Sequence, residues 1–182
     1  LNLPNYLTLL RILLCPFFFT FLVSYETGKE HYRWLALGVF VFAAFTDALD
    51  GFLARFRHEQ TELGRFLDPL ADKLLLLSGF LGLLFVGALR YQPPLWVTVA
   101  IVFRDIVLIG GFVVVFFVTG TFRVQPNVLG KVTTGCQTAT LVGLLLEWKG
   151  ALLICYATAV LSILSCLAYL GRDVNLLQIK KD

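Results

Sequence analysis

The chain has 182 residues, 58% of them hydrophobic and 15% charged, with a net charge of +3. A mean hydropathy of +0.83 and apolar runs of roughly 18–20 residues exclude an ordinary water-soluble domain and predict an integral membrane protein. The runs are continuous rather than alternating, which excludes a membrane β-barrel and leaves an all-α bundle forming one domain over 1–182, and the modest charge leads us to expect no nucleic-acid partner.

Six transmembrane helices are predicted, at Tyr6–Ser24, Arg33–Leu53, Phe66–Leu89, Leu95–Thr119, Val128–Glu147 and Ala151–Leu170. In the first, Arg11 precedes an apolar stretch as in a signal peptide, but no small-residue cleavage site follows and 24–33 reads as a loop, so a retained helix is expected. Asn5, Thr8 and Arg11 recur at intervals of three and are candidates to line the entrance to a polar site, although Asn5 reads equally well as a helix cap after Pro4.

The second and third spans are joined by "TDALDGFLARFRHEQTELGRFLDPLADK". At about 100° per residue, Asp47, Asp50, Gly51, Ala54 and Arg55 share one stripe of a helix, and Gly64, Asp68 and Asp72 recur at intervals of four on the next. Four carboxylates at membrane depth repel one another and resist desolvation, so the pattern calls for positive charge. Oxygen-only ligands suit two hard divalent cations, Mg2+ or Mn2+, held by Asp47, Asp50, Asp68 and Asp72, an arrangement fitted to a diphosphate. Gly51, Ala54 and Gly64 leave room for a flat base or a close-lying phosphate, and Arg55 offers a planar fork of donors. Glu59, Glu62, Arg57 and His58 read as a solvated connection, and Lys73 as a residue snorkelling to the interface.

Farther along, Pro93-Pro94 and Pro126 mark helix starts. Arg104, inside the fourth span, is either a functional intramembrane residue or half of a buried ion pair with Asp105 or with an aspartate on another helix; because adjacent residues diverge by about 100°, it need not pair with Asp105. Lys131 reads equally as a phosphate ligand and as an interfacial residue. Ser78 with Gly82, and Ala139 with Gly143, are small pairs that permit close helix packing. Cys15, Cys136, Cys155 and Cys166 stand singly in apolar runs and read as small buried hydrophobes, and His31 and His58 lie too far apart for a His-centred site. The bias of Arg and Lys toward 54–65, 120–131 and the tail places both termini and the candidate site on the cytoplasmic side. Arg123, Arg172, Lys180 and Lys181 are expected to meet anionic headgroups there.

The spacing Asp47-x2-Asp50-Gly51-x2-Ala54-Arg55-x8-Gly64-x3-Asp68-x3-Asp72 matches the signature of the CDP-alcohol phosphotransferase family, and "NLPNYLTLLRILLCP" resembles the start of the first helix in its glycerophospholipid branch. The resemblance implies transfer of a substituted phosphate from a CDP-linked lipid to an alcohol with release of CMP. By position, Asp47, Asp50 and Asp68 would be metal ligands, Asp72 a ligand and the base, and Gly51, Ala54, Arg55 and Gly64, beside Asp47 and Asp50, would hold the CDP moiety. It also implies CDP-diacylglycerol as donor, a lipid or polyol-phosphate acceptor met by Arg104 and Lys131, and a homodimer among membrane lipids. Enzymes of the branch that use glycerol 3-phosphate typically show Glu after the fourth-helix Arg, a second Arg eight residues on, and a second Lys in the fifth helix; here those positions are Asp105, Phe112 and Thr133. On that count phosphatidylglycerol, giving cardiolipin, is the favoured acceptor, and glycerol 3-phosphate the alternative. A rival of another class, an ion-coupled transporter, would scatter its acidic groups over repeat-related broken helices, whereas all four aspartates here lie in one stretch.

Overall fold

The computed structural model of the chain describes residues 3–57, 62–119 and 128–179, with the backbone alone at 3–5, 48–57, 62–66, 68–69, 112, 115–119 and 170–179. These residues form α1 (Leu3–Val23), α2 (Glu30–Arg57), α3 (Glu62–Leu83), α4 (Leu95–Thr119), α5 (Val128–Leu145) and α6 (Ala151–Ile179), with no strand among them. Two of the helices contain stretches long and apolar enough to cross a bilayer by a strict test, Tyr6–Val23 and Ala151–Tyr169.

The departures from the predicted spans have local causes. α2 continues to Arg57 and α3 begins at Glu62, so much of the polar stretch expected as a loop is helical. Hydropathy finds where a helix meets lipid, not where its hydrogen bonds stop. Asn5 consequently lies inside α1, past the capping position. α3, by contrast, stops at Leu83, where the Leu84 and Phe85 amides bond back to Leu81 and Gly82 in a tightened final turn. Val86 and Leu89 beyond it are buried because the connection itself packs on the core, held by a 2.9 Å hydrogen bond from Gln92 Nε2 to the Val86 carbonyl.

α1 packs on both α2 and α3; α4 bridges α3 and α6; α5 pairs with α6. The core combines Phe18 and Leu22 of α1, Phe40 of α2, Phe80 of α3, Ile101 of α4 and Leu141, Leu144 and Leu145 of α5. Close approach on α3 depends on Gly79 and Gly82, where an added Cβ would come within 2.8 Å of Leu141 and 2.6 Å of Leu22. Of the predicted small pairs, Gly82 and Gly143 do face neighbouring helices, whereas Ala139 is exposed and Ser78 returns its hydroxyl to the Leu75 carbonyl. Cys15, Cys155 and Cys166 are buried and Cys136 is partly so; all four are free thiols, as expected.

At the end where α1 finishes and α2 begins, Arg33 is buried and its Nη1 lies 3.0 Å from Glu147 Oε2, while the Tyr25 hydroxyl donates to Glu147 Oε1 at 3.1 Å. Glu147 has φ 53°, and the bonds Glu147 N to Leu144 O and Trp148 N to Gly143 O close a Schellman turn at the end of α5. Glycine is usual at that position. Here a carboxylate occupies it and ties α5 to the α1–α2 connection. Burial, followed by the bond to Glu147, raises the Tyr25 pKa above its ordinary value.

Candidate functional site

Near the middle of α1, the buried Arg11 directs Nη1 at two carboxylates: Asp47 Oδ1 of α2 at 2.8 Å and Asp72 Oδ1 of α3 at 3.0 Å. These are the first and last aspartates of the signature. They meet because α1 lies against both helices that carry them. Asp50, Gly51, Ala54 and Arg55 fall within α2, and Gly64 and Asp68 within α3, but their side-chain positions lie outside the described residues. Arg11, expected at a donor entrance, is thus in contact with the aspartate constellation. Thr8, one turn earlier, is buried.

A fit to divalent cations can be tested on the two described aspartates. Both oxygens reach one nitrogen, both side chains keep 42% exposure, and the Asp47–Arg11–Asp72 group carries one surplus negative charge. Hard cations favour such an all-oxygen, anionic donor set. Among the described residues no group of three or more acidic, His or Cys side chains is gathered at one point.

A second polar cluster begins at the next residue. Lys73, expected to snorkel, turns inward: its Nζ lies 3.0 Å from Asp105 Oδ1 and 3.2 Å from Thr134 Oγ1, with the side chain only 17% exposed. A carboxylate on the adjoining α4 takes up its charge. Arg104 and Asp105 pair as well, at 2.6 Å, since the long guanidinium arm bends across the angular offset between neighbours. Arg104 Nη2 donates to Ser165 of α6 at 3.1 Å, and Gln137 of α5 donates to Asp105 Oδ2 at 2.8 Å. Arg104 and Asp105 are fully buried. Lys131 is exposed in the first turn of α5, next to Gly130, whose Cβ position would be 3.7 Å from Arg104 Nη2.

Of the two readings of Arg104, the buried ion pair with Asp105 is present; spacing alone missed Gln137, Ser165 and the contact of Lys73 with Asp105. The available signal was charge: a Lys and an Arg inside apolar helices require anions nearby, and Asp105 is an acid within the apolar run of α4.

The model of the CDP-alcohol phosphatidyltransferase family matches residues 1–168. The CDP-diacylglycerol–glycerol-3-phosphate 3-phosphatidyltransferase of Yersinia enterocolitica is 32% identical over 181 residues, covering 94% of each chain, and that of Aquifex aeolicus is 36% identical over 134 residues, covering 74% of this chain and 70% of its own. A probable CMP-forming cardiolipin synthase of Drosophila melanogaster is 32% identical over 157 residues, covering 78% of this chain but 46% of its own, so the chain spans about half of that relative. With the complete aspartate signature on α2 and α3 and a family match over nearly its whole length, the chain belongs to the membrane-bound CDP-alcohol phosphatidyltransferases.

Proposed function

We propose that the enzyme transfers a phosphatidyl group from CDP-diacylglycerol to glycerol 3-phosphate, releasing CMP, in a bundle whose six helices cross the membrane. The carrying observation is the family match together with full-length similarity to a bacterial protein named for that reaction. The acceptor order read from the basic positions is thereby reversed. Phosphatidylglycerol remains a second reading, favoured by one observation: Asp105 takes up part of the charge of Arg104. An ion-coupled transporter has no support beside the family assignment.

In the reaction, the acceptor oxygen forms a bond to the lipid-bearing phosphorus, the bond from that phosphorus to the CMP oxygen breaks, and the hydroxyl proton passes to the Asp72 carboxylate. Gly51, Ala54, Arg55 and Gly64 would hold the CDP moiety, and Arg104 and Lys131 the acceptor. Two divalent cations, Mg2+ or Mn2+, would be held by Asp47, Asp50, Asp68 and Asp72 and would supply neutralisation of the diphosphate charge. The homodimer, the cytoplasmic termini and the cytoplasmic site implied by the resemblance and by charge bias belong to the same reading.

Outward-facing side chains support the membrane setting: Leu13 and Phe17 of α1, Phe42 and Phe45 of α2, and Leu153 and Leu167 of α6 are exposed. Trp34, Trp96 and Trp148, also exposed, lie near the starts of α2 and α4 and between α5 and α6, where aromatic residues meet a bilayer interface.

The test is mass spectrometry of products from purified protein, CDP-diacylglycerol and Mg2+, offered glycerol 3-phosphate and phosphatidylglycerol separately. Phosphatidylglycerophosphate is expected from the first; cardiolipin from the second alone would reverse the acceptor assignment. Asp72→Asn should lower CMP release by about 10^2–10^4-fold, the usual worth of a positioned base. Removing divalent cations with a chelator should abolish it, and Mg2+ or Mn2+ should restore it.

A further inference from the structure

The polar interior divides at one peptide bond. On the Asp72 side, two carboxylates share one guanidinium; on the Lys73 side, two cations share one carboxylate, leaving Lys73, Asp105 and Arg104 with one surplus positive charge. Burying an ion costs several kcal/mol before compensation, so a purely structural contact is expected to be balanced. This one is not. Arg104 Nε and Gln137 Oε1 are buried and have no hydrogen-bond partner among the described residues.

The arrangement is nevertheless tightly fixed. Asp105 divides its oxygens, Oδ1 to Lys73 of α3 and to Arg104, Oδ2 to Gln137 of α5. Arg104 is anchored in turn to Ser165 of α6, and Lys73 to Thr134 of α5. With both oxygens occupied, the carboxylate cannot rotate without losing a bond, and each cation is held by two helices besides its own or by one helix and its neighbour in sequence.

We propose that Asp105 is a positioning residue that sets the charge of the acceptor side: by sharing Oδ1 between Lys73 and Arg104 it holds two cations together and leaves one net positive charge for an acceptor phosphate. Lys73 is thereby assigned to acceptor recognition beside Arg104. The inference rests on the reading of Arg104 as the acceptor-side cation. A polyol phosphate, carrying a hydroxyl at one end and a phosphate at the other, has the polarity of the Asp72–Lys73 seam: hydroxyl toward the base, phosphate toward the cations.

The test measures glycerol 3-phosphate binding to the full chain in detergent without donor lipid, from the ligand-induced rise in unfolding midpoint. Lys73→Gln should weaken binding about tenfold, as expected for one charge removed at short range in a medium of intermediate dielectric. Lys73→Arg should stay within about threefold of the parent on the same scale. Asp105→Asn should move binding the other way, and inorganic phosphate should raise its depressed unfolding midpoint more than it raises the parent's. The double variant Lys73→Gln/Asp105→Asn restores the net charge and should return within about threefold of the parent. The Michaelis constants for glycerol 3-phosphate should follow the same order.

If both single variants weaken binding alike and the double is no better, or if midpoints fall while binding is unmoved, the pair is structural and the proposal is wrong. Absence of binding to the parent protein overturns it too. Binding in the expected order by a protein that forms no phosphatidyl product would support the charge assignment and reject the reaction.

Discussion

At the residue scale, Arg11 is the side chain on which the described aspartates depend. Removing it leaves two carboxylates facing one another, a loss of roughly 3–5 kcal/mol for a fully buried pair. Asp47 and Asp72 are 42% exposed, so about 2 kcal/mol is the expected cost of Arg11→Ala, read from unfolding in detergent. Mg2+ or Mn2+ should recover more of that loss in the variant than it adds to the parent, because a divalent cation supplies the missing charge. Glu147 makes a complementary case. Glycine would relieve its left-handed backbone, yet Glu147→Gly should lower stability by about 1 kcal/mol, since the lost bonds to Arg33 and Tyr25 outweigh the strain removed. That Asp47 and Asp72 face one another was legible in the sequence, because helical spacing and charge coincide there. Arg11, Lys73 and Asp105 were only half legible: their burial in apolar runs announces a partner, but spacing does not say which helix brings it.

At the element scale, the six helices were visible as apolar runs, and the start of α4, α5 and α6 fell at the predicted residue because a proline or a tight polar connection precedes each. The end of α2 and the start of α3 were not, since helix hydrogen bonding carries on into the polar stretch, and α3 stops short at Leu83 because its final turn tightens. Contact between α1 and α3 is set by Gly79 and Gly82, whose role was only partly visible beside Ser78. Gly82→Leu should therefore push Leu22 out of place and cost about 1–3 kcal/mol, while the same change at Gly38, which has open space around it, should be nearly neutral. Thermal unfolding of the two variants compares them directly.

At the scale of the whole molecule, polar contacts link all six helices: α2 to α1 to α3 through Arg11, and α3 to α4, α5 and α6 through Lys73, Asp105, Gln137 and Arg104. The far end is closed by Tyr25, Arg33 and Glu147. Because the folded state raises the Tyr25 pKa, its contribution to stability is complete below the ordinary value of 10.0 and is lost as pH rises through the elevated folded value. The parent's unfolding midpoint should thus fall more steeply above pH 10 than that of Tyr25→Phe.

The position of α1 has a mechanical consequence. One nitrogen holds carboxylates from two helices, so a slip of α1 along its axis, about 1.5 Å per residue, acts on both contacts at once. The two aspartates are released or retained together, like jaws worked by a single pin. That pin sits in a helix long and apolar enough to cross a bilayer, so in the proposed six-span arrangement the thickness of the surrounding lipid would act on the spacing of the acidic site: membranes that draw α1 along its axis would open the jaws, and membranes matched to its apolar length would keep them set.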